Sequence, residues 1–144
     1  MARNRISIPE SFSFSTTIPI RITDLNYGGH VGNDAILSLL HEARVQFLKH
    51  YGFTELDFAG TSLIMSDVGI EFKSEVFYGS SIKVMVTAGE FTRAGFDIFY
   101  QMKNAENNKL VAVAKTGMVC FDYSSRKVTA VPELAFRKLQ AQQK

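Results

Sequence analysis

The strongest constraint on the fold is a change of period along the chain. Between residues 33 and 51, Ile36, Leu39, Leu40, Ala43 and Phe47 recur at helical spacing. After Gly60 the apolar residues alternate instead, as in Ile82, Val84, Val86 and Ala88, or Phe96, Ile98, Tyr100 and Met102. One long helix precedes a run of strands joined by short turns, which is the pattern of an α+β protein with an antiparallel sheet. Such a sheet has one face to bury, and this helix is the only element large enough to bury it. The expected architecture is a single domain over residues 1–144.

The element boundaries follow from local signals. Residues 12–22 read as a strand with Phe12, Phe14, Thr16, Ile18 and Ile20 on one face, and Pro19 marks an edge or an end. The helix is expected to take Asn33 as N-cap and Asp34 in its first turn, with Lys49 and His50 in its last and Gly52 as the left-handed stop. A second apolar strip of Leu37, Val45 and Leu48 predicts cover on more than one side. Further strands are expected at 62–76, bent at Gly69, and at 81–92, 96–103 and 109–122. Pro132 opens a short C-terminal helix.

Composition removes several function classes. The net charge is +2 with both signs interspersed, so nothing favours nucleic acid as a partner. No stretch approaches the apolar length of a membrane span. The start Met-Ala-Arg-Asn-Arg lacks the apolar core of a signal peptide, and Cys120 is the lone cysteine. A cytoplasmic location is the simplest reading. Twelve Phe and no Trp predict an aromatic core, an aromatic interface or a greasy substrate channel.

Chemically useful groups concentrate in one place, Asp24-Leu25-Asn26-Tyr27-Gly28-Gly29-His30-Val31-Gly32-Asn33. A glycine-rich polar loop here leads into the long helix. The helix start offers unpaired N–H groups and partial positive charge, which suit an anion or a carbonyl oxygen. Elsewhere, His41-Glu42 has no second histidine at position 45, and no G-x-S-x-G nucleophile elbow occurs. No metal site and no cofactor are expected.

The motif Asp24-x-Asn26-x-x-Gly29-His30-Val31-x-Asn33, followed by Glu42-Ala43-Arg44, resembles the hotdog-fold acyl thioesterases. It is most similar to the 4-hydroxybenzoyl-CoA thioesterase-like branch, whose motif reads D-x-D-x-x-G-H-V-x-N. The resemblance implies a hotdog fold, with a long central helix wrapped by a five- or six-stranded antiparallel sheet. It also implies hydrolysis of acyl thioesters of coenzyme A or acyl carrier protein. The expected assembly is a homodimer with joined sheets, or a dimer of dimers, with active sites at the interface. One departure matters: the family's second Asp is the catalytic carboxylate, and Asn26 stands there. An amide cannot act as a base near neutral pH.

Candidate roles follow from what thioester hydrolysis needs: a placed water, a proton acceptor and oxyanion donors. Asn26 is expected to hold the water or the carbonyl, or else to brace its own loop. His30 reads as a donor or base, or as a structural hydrogen-bonder. Glu42, at the border of the apolar stripe, reads as the replacement base if partly desolvated, or as a partner for a nearby cation. Tyr27, Gly28, Gly29, Val31, Gly32 and Asn33 are the expected substrate-binding residues. Asp24 reads as a loop brace, and Asp67 as either a solvent-facing edge residue or a contributor to a partner's site. A rival reading keeps the fold and the acyl-CoA ligand but not the turnover: a binding module, for which Asn26 is the best support.

Overall fold

The structure is a computed structural model that describes residues 5–141. Its elements are β1 (Phe14–Pro19), α1 (Asn33–His50), β2 (Ser62–Phe72), β3 (Ser81–Gly89), β4 (Gly95–Asn104), β5 (Leu110–Asp122), β6 (Lys127–Val128) and α2 (Glu133–Ala141). All strand pairs are antiparallel, in the order β1-β3-β4-β5-β2, with β6 pairing the end of β5. The α+β expectation therefore holds, and the sheet curls around α1.

The alternating residues explain the core. Ile82, Val84, Val86 and Ala88 of β3 and Phe96, Ile98, Tyr100 and Met102 of β4 are all buried. They meet Ile36, Leu39, Leu40, Ala43 and Phe47 of α1, which are buried in turn. Each fully buried side chain of this size contributes about 1.5–3 kcal/mol of hydrophobic stabilisation, so the wrapped helix is held chiefly by this stripe. Half of the twelve Phe join the core or pack against it, and Phe53, Phe58, Phe96 and Phe91 form a chain of ring contacts with centroids 4.9–5.5 Å apart. Cys120 is buried in β5, and burial pushes its thiol up, away from the reactive thiolate. Native protein is accordingly expected to resist thiol alkylation until denaturant is added, as measured by mass shift.

Several boundaries differ from expectation. The first strand is six residues long, and the chain then tightens into a 3-10 turn at Ile22–Asp24. Gly32, not Asn33, is the residue before the helix; its extended φ of −75° and ψ of 157° leave Asn33 as the first helical position. At the other end, Gly52 has φ 87° and stops the helix as expected.

The irregularity in β2 falls between Met65 and Asp67, at Ser66, not at Gly69. One extra residue reverses the inward and outward sets. Asp67 therefore turns away from the core side, exposed, while Val68, Ile70 and Phe72 pair opposite Thr116, Ala114 and Ala112. Because β2 is an edge, Met65, Val68 and Phe72 remain 40–49% exposed. On α1, Leu48 is buried, but Leu37 and Val45 of the expected second strip are exposed in the single chain.

Candidate active site at the start of helix α1

The loop between β1 and α1 is closed by Asp24, which is only 4% exposed. Its carboxylate accepts from Arg21 N at 2.8 Å and from the Arg21 guanidinium at 3.1 Å. Its backbone oxygen accepts from Gly32 N at 3.1 Å. One residue thus ties the beginning of the loop to the beginning of the helix, and the same contact holds the Arg21 guanidinium above its ordinary pKa. Asn26 N donates to His30 O at 2.9 Å, and Val31 N donates to Val76 O at 2.8 Å. Gly29, at φ 84°, turns the tip. Tyr27, Gly28 and Gly29 form that tip and are exposed, while Val31 and Gly32 are buried behind it.

Within this frame the polar groups have defined free ends. Asn26 Oδ1 accepts from Gly28 N at 2.9 Å, which commits the carbonyl of the amide. Its Nδ2 has no acceptor among the described residues and remains a donor. His30 Nδ1 lies 3.1 Å from Val31 O. A carbonyl only accepts, so Nδ1 carries the hydrogen and Nε2 is the free nitrogen. A methyl group built on Gly28 would lie 3.2 Å from Asn26 Oδ1 and 3.6 Å from His30 Nε2, so these two side chains flank the same glycine.

The helix start completes the site. Ile36 N is the first to find a partner, Gly32 O at 3.2 Å. The N–H groups of Asn33, Asp34 and Ala35 have none among the described residues, and Gly32 supplies no side-chain cap. Three adjacent donors at the positive end of an 18-residue helix are suited to hold developing negative charge. Beside them lies a cavity of about 290 Å³, lined by His30, Asn33 and Ile36 and by the chain from Phe72 to Val76.

Glu42 sits elsewhere. It is exposed, not partly desolvated, and its carboxylate accepts from Gln46 Nε2 at 2.7 Å. It lines a different groove with Arg21, Thr17, Pro19, Ser38 and His41, between β1 and α1. Helical periodicity placed it beside the apolar stripe, but β1 leaves that flank open.

The profile of the thioesterase-like superfamily matches residues 20–139. The chain belongs to this superfamily. A 1,4-dihydroxy-2-naphthoyl-CoA hydrolase from Crocosphaera subtropica is 31% identical over 119 residues, covering 78% of this chain and 85% of the relative. A 1,4-dihydroxy-2-naphthoyl-CoA thioesterase from Synechocystis superimposes with a TM-score of 0.81 at 22% identity, over 88% of this chain and 95% of that one. A thioesterase from Thermus thermophilus, complexed with coenzyme A and Zn, gives a TM-score of 0.81 at 18% identity, over 94% of this chain and 97% of that one. The fold is the hotdog fold, and by family the chain is a thioester hydrolase.

Two residues of this thioesterase-like chain gain significance only from the structure. Arg44, 5% exposed, donates through a guanidinium nitrogen to Tyr100 Oη at 3.2 Å, and Tyr100 Oη lies 2.7 Å from Thr116 Oγ1. Arg44 thus braces the helix to the sheet through buried Tyr100 and Thr116, and the partly exposed Glu55 Oε2 lies 3.5 Å from Arg44 Nε. Burial pushes the Tyr100 phenol up, which keeps it a neutral partner for Arg44. The second is Asp34, which sequence presents only as a favourable first-turn charge. Its Oδ1 lies 2.6 Å from the point where a methyl group on Gly32 would be, and Asn26 Cβ lies 3.5 Å from that point.

Proposed function

We propose that the chain hydrolyses acyl thioesters of coenzyme A by direct attack of water at the start of α1. The observation that carries this reading is the set of three unpartnered N–H groups from Asn33 to Ala35 beside a cavity that Asn33 lines, with the donor end of Asn26 in the adjoining loop. Such donors accept the charge that grows on a thioester oxygen as its carbonyl becomes tetrahedral. The acyl group fits the neighbouring cavity against Ile36, Phe72, Val76 and Val111. Gly28 and Gly29 leave the exposed tip open for the pantetheine arm, with Tyr27 beside it. Family membership supports the reaction, and the named activity of the Crocosphaera relative supports an aromatic acyl group on coenzyme A. The test is thiol release from acetyl-, hexanoyl-, palmitoyl-, benzoyl- and 1,4-dihydroxy-2-naphthoyl-CoA, with an acylated carrier protein alongside. Release above background from a CoA thioester is expected. Acyl-CoA that raises the melting temperature without any thiol release would instead favour the binding-module reading.

The same reading includes a homodimer, or a dimer of dimers, joined through β2. Among the described residues that strand pairs β5 on one side only. Its Met65, Val68 and Phe72 leave an apolar strip that a second copy would cover. No described helix is long and apolar enough to cross a membrane. Val68→Asp is expected to shift the species from dimer to monomer in sedimentation velocity, because a carboxylate inside a paired edge costs several kcal/mol unless it is partnered.

A further inference from the structure

We infer that Asp34 is the general base of the hydrolytic site, carrying the carboxylate that position 26 lacks. This rests on the thioesterase reading above and assigns its missing proton acceptor. Asn26 accepts from Gly28 N through Oδ1, and an amide cannot take a proton from water near neutral pH. Glu42 faces the groove beside Arg21, and its carboxylate accepts from Gln46 Nε2. Asp34, exposed on the first turn of α1, turns its carboxylate back toward the loop. Its Oδ1 occupies the space above Gly32, and Asn26 borders that space from the other side. Only a residue without Cβ leaves this space open. Gly32 is therefore a gap that admits a carboxylate, since its backbone angles suit any residue. Asp34 Oδ1 and Oδ2 accept no hydrogen bond among the described residues, which leaves the acceptor free for a water molecule. Its own N–H is one of the three unpartnered donors, so base and oxyanion site sit within one helical turn.

The step balances without a cofactor. Asp34 takes a proton from water as the water oxygen bonds to the thioester carbonyl carbon. The carbonyl π pair moves to the oxygen held by the helix-start N–H groups and Asn26 Nδ2. When that pair returns, the C–S bond breaks and the thiolate takes the proton from the Asp34 carboxyl. The products are a carboxylic acid and the coenzyme A thiol.

The experiment uses the full chain and the best acyl-CoA of the thiol-release panel. Asp34→Asn is expected to lower kcat by about 100-fold or more with KM changed by no more than about threefold, the usual scale for a lost general base. The swap Asn26→Asp/Asp34→Asn returns a carboxylate to the other side of Gly32 and is expected to recover at least about tenfold of that loss, as proton transfer follows position and pKa. Gly32→Ala puts a methyl group 2.6 Å from Asp34 Oδ1 and is expected to lower kcat by displacing the carboxylate while the melting temperature holds. A wild-type enzyme that releases thiol, with Asp34→Asn retaining kcat within about threefold, overturns the inference and leaves the thioesterase reading intact. Inactive Asp34→Asn, with no recovery in the swap and full turnover in Gly32→Ala, overturns it too. A wild-type chain that releases no thiol from any substrate defeats the thioesterase reading itself, before any variant is compared.

Discussion

Replacing Asn26 by Ala is expected to lower kcat by about 100- to 1,000-fold, the range for removing one donor from an oxyanion site. The side chain is exposed, and its one hydrogen bond among the described residues is from Gly28 N at 2.9 Å. Losing an exposed bond of that kind costs about 0.5–1.5 kcal/mol, too little to unfold the chain. Activity and stability should therefore separate. The loss should also fall mainly on kcat and not on KM, because Nδ2 gains its strongest partner only when the carbonyl oxygen becomes negative. Steady-state thiol release and a melting curve on the same preparation check both halves. Asn26→Asp is the informative companion: it would place two carboxylates on either side of Gly32, and their mutual repulsion would favour protonation of one.

Gly95→Ala is expected to act through the fold instead. Gly95 opens β4 opposite Val119 of β5 and is buried. A methyl group there would lie 2.3 Å from Met118 O and 3.5 Å from Val119 Cα, so it meets backbone on the neighbouring strand. Nothing flexible can yield. The two strands must part at the end of the sheet that Phe96 and Met118 seal, both of them 1–2% exposed. The cost should reach the upper end of overpacking, about 3 kcal/mol. For a chain of this size that is a fall of about 6–12 °C in Tm. Gly32→Ala supplies the contrast, because the same added methyl meets the end of a movable side chain. Differential scanning calorimetry of the two variants should show Gly95→Ala strongly destabilised and Gly32→Ala close to wild type.

The elements most legible in the sequence were those fixed by burial. Period and length alone locate α1 and the inward sets of β3 and β4, since burying them on the wrong face would expose the whole core. The bulge at Ser66 was not legible, because β2 is an edge and its exposed apolar residues give no clean alternation to read. The two-residue β6 is too short to carry any pattern. The helix start shifted by one residue because Asp24 O holds Gly32 N, a contact between residues eight apart that no local cap preference reveals.

The site divides along the same line. The loop motif and its departure at Asn26 are written in residue order, and so is the expectation of donors at the helix start. The direction in which each polar group points is tertiary. Glu42 looked suitable on a helical wheel, yet it opens onto the groove with Arg21. Asp34 looked like an ordinary first-turn acid, yet its carboxylate rests over Gly32 beside Asn26.

On the proposed mechanism the thioester is held at the start of α1. The most direct measurement is a crystal structure of the chain with a non-hydrolysable acyl-CoA analogue, a ketone in which a methylene replaces the thioester sulfur. The carbonyl oxygen is expected within hydrogen-bond distance of the helix-start N–H groups and Asn26 Nδ2, with the acyl group in the cavity lined by Ile36 and Phe72. A carbonyl bound instead in the groove between β1 and α1, beside Glu42 and Arg21, would contradict it.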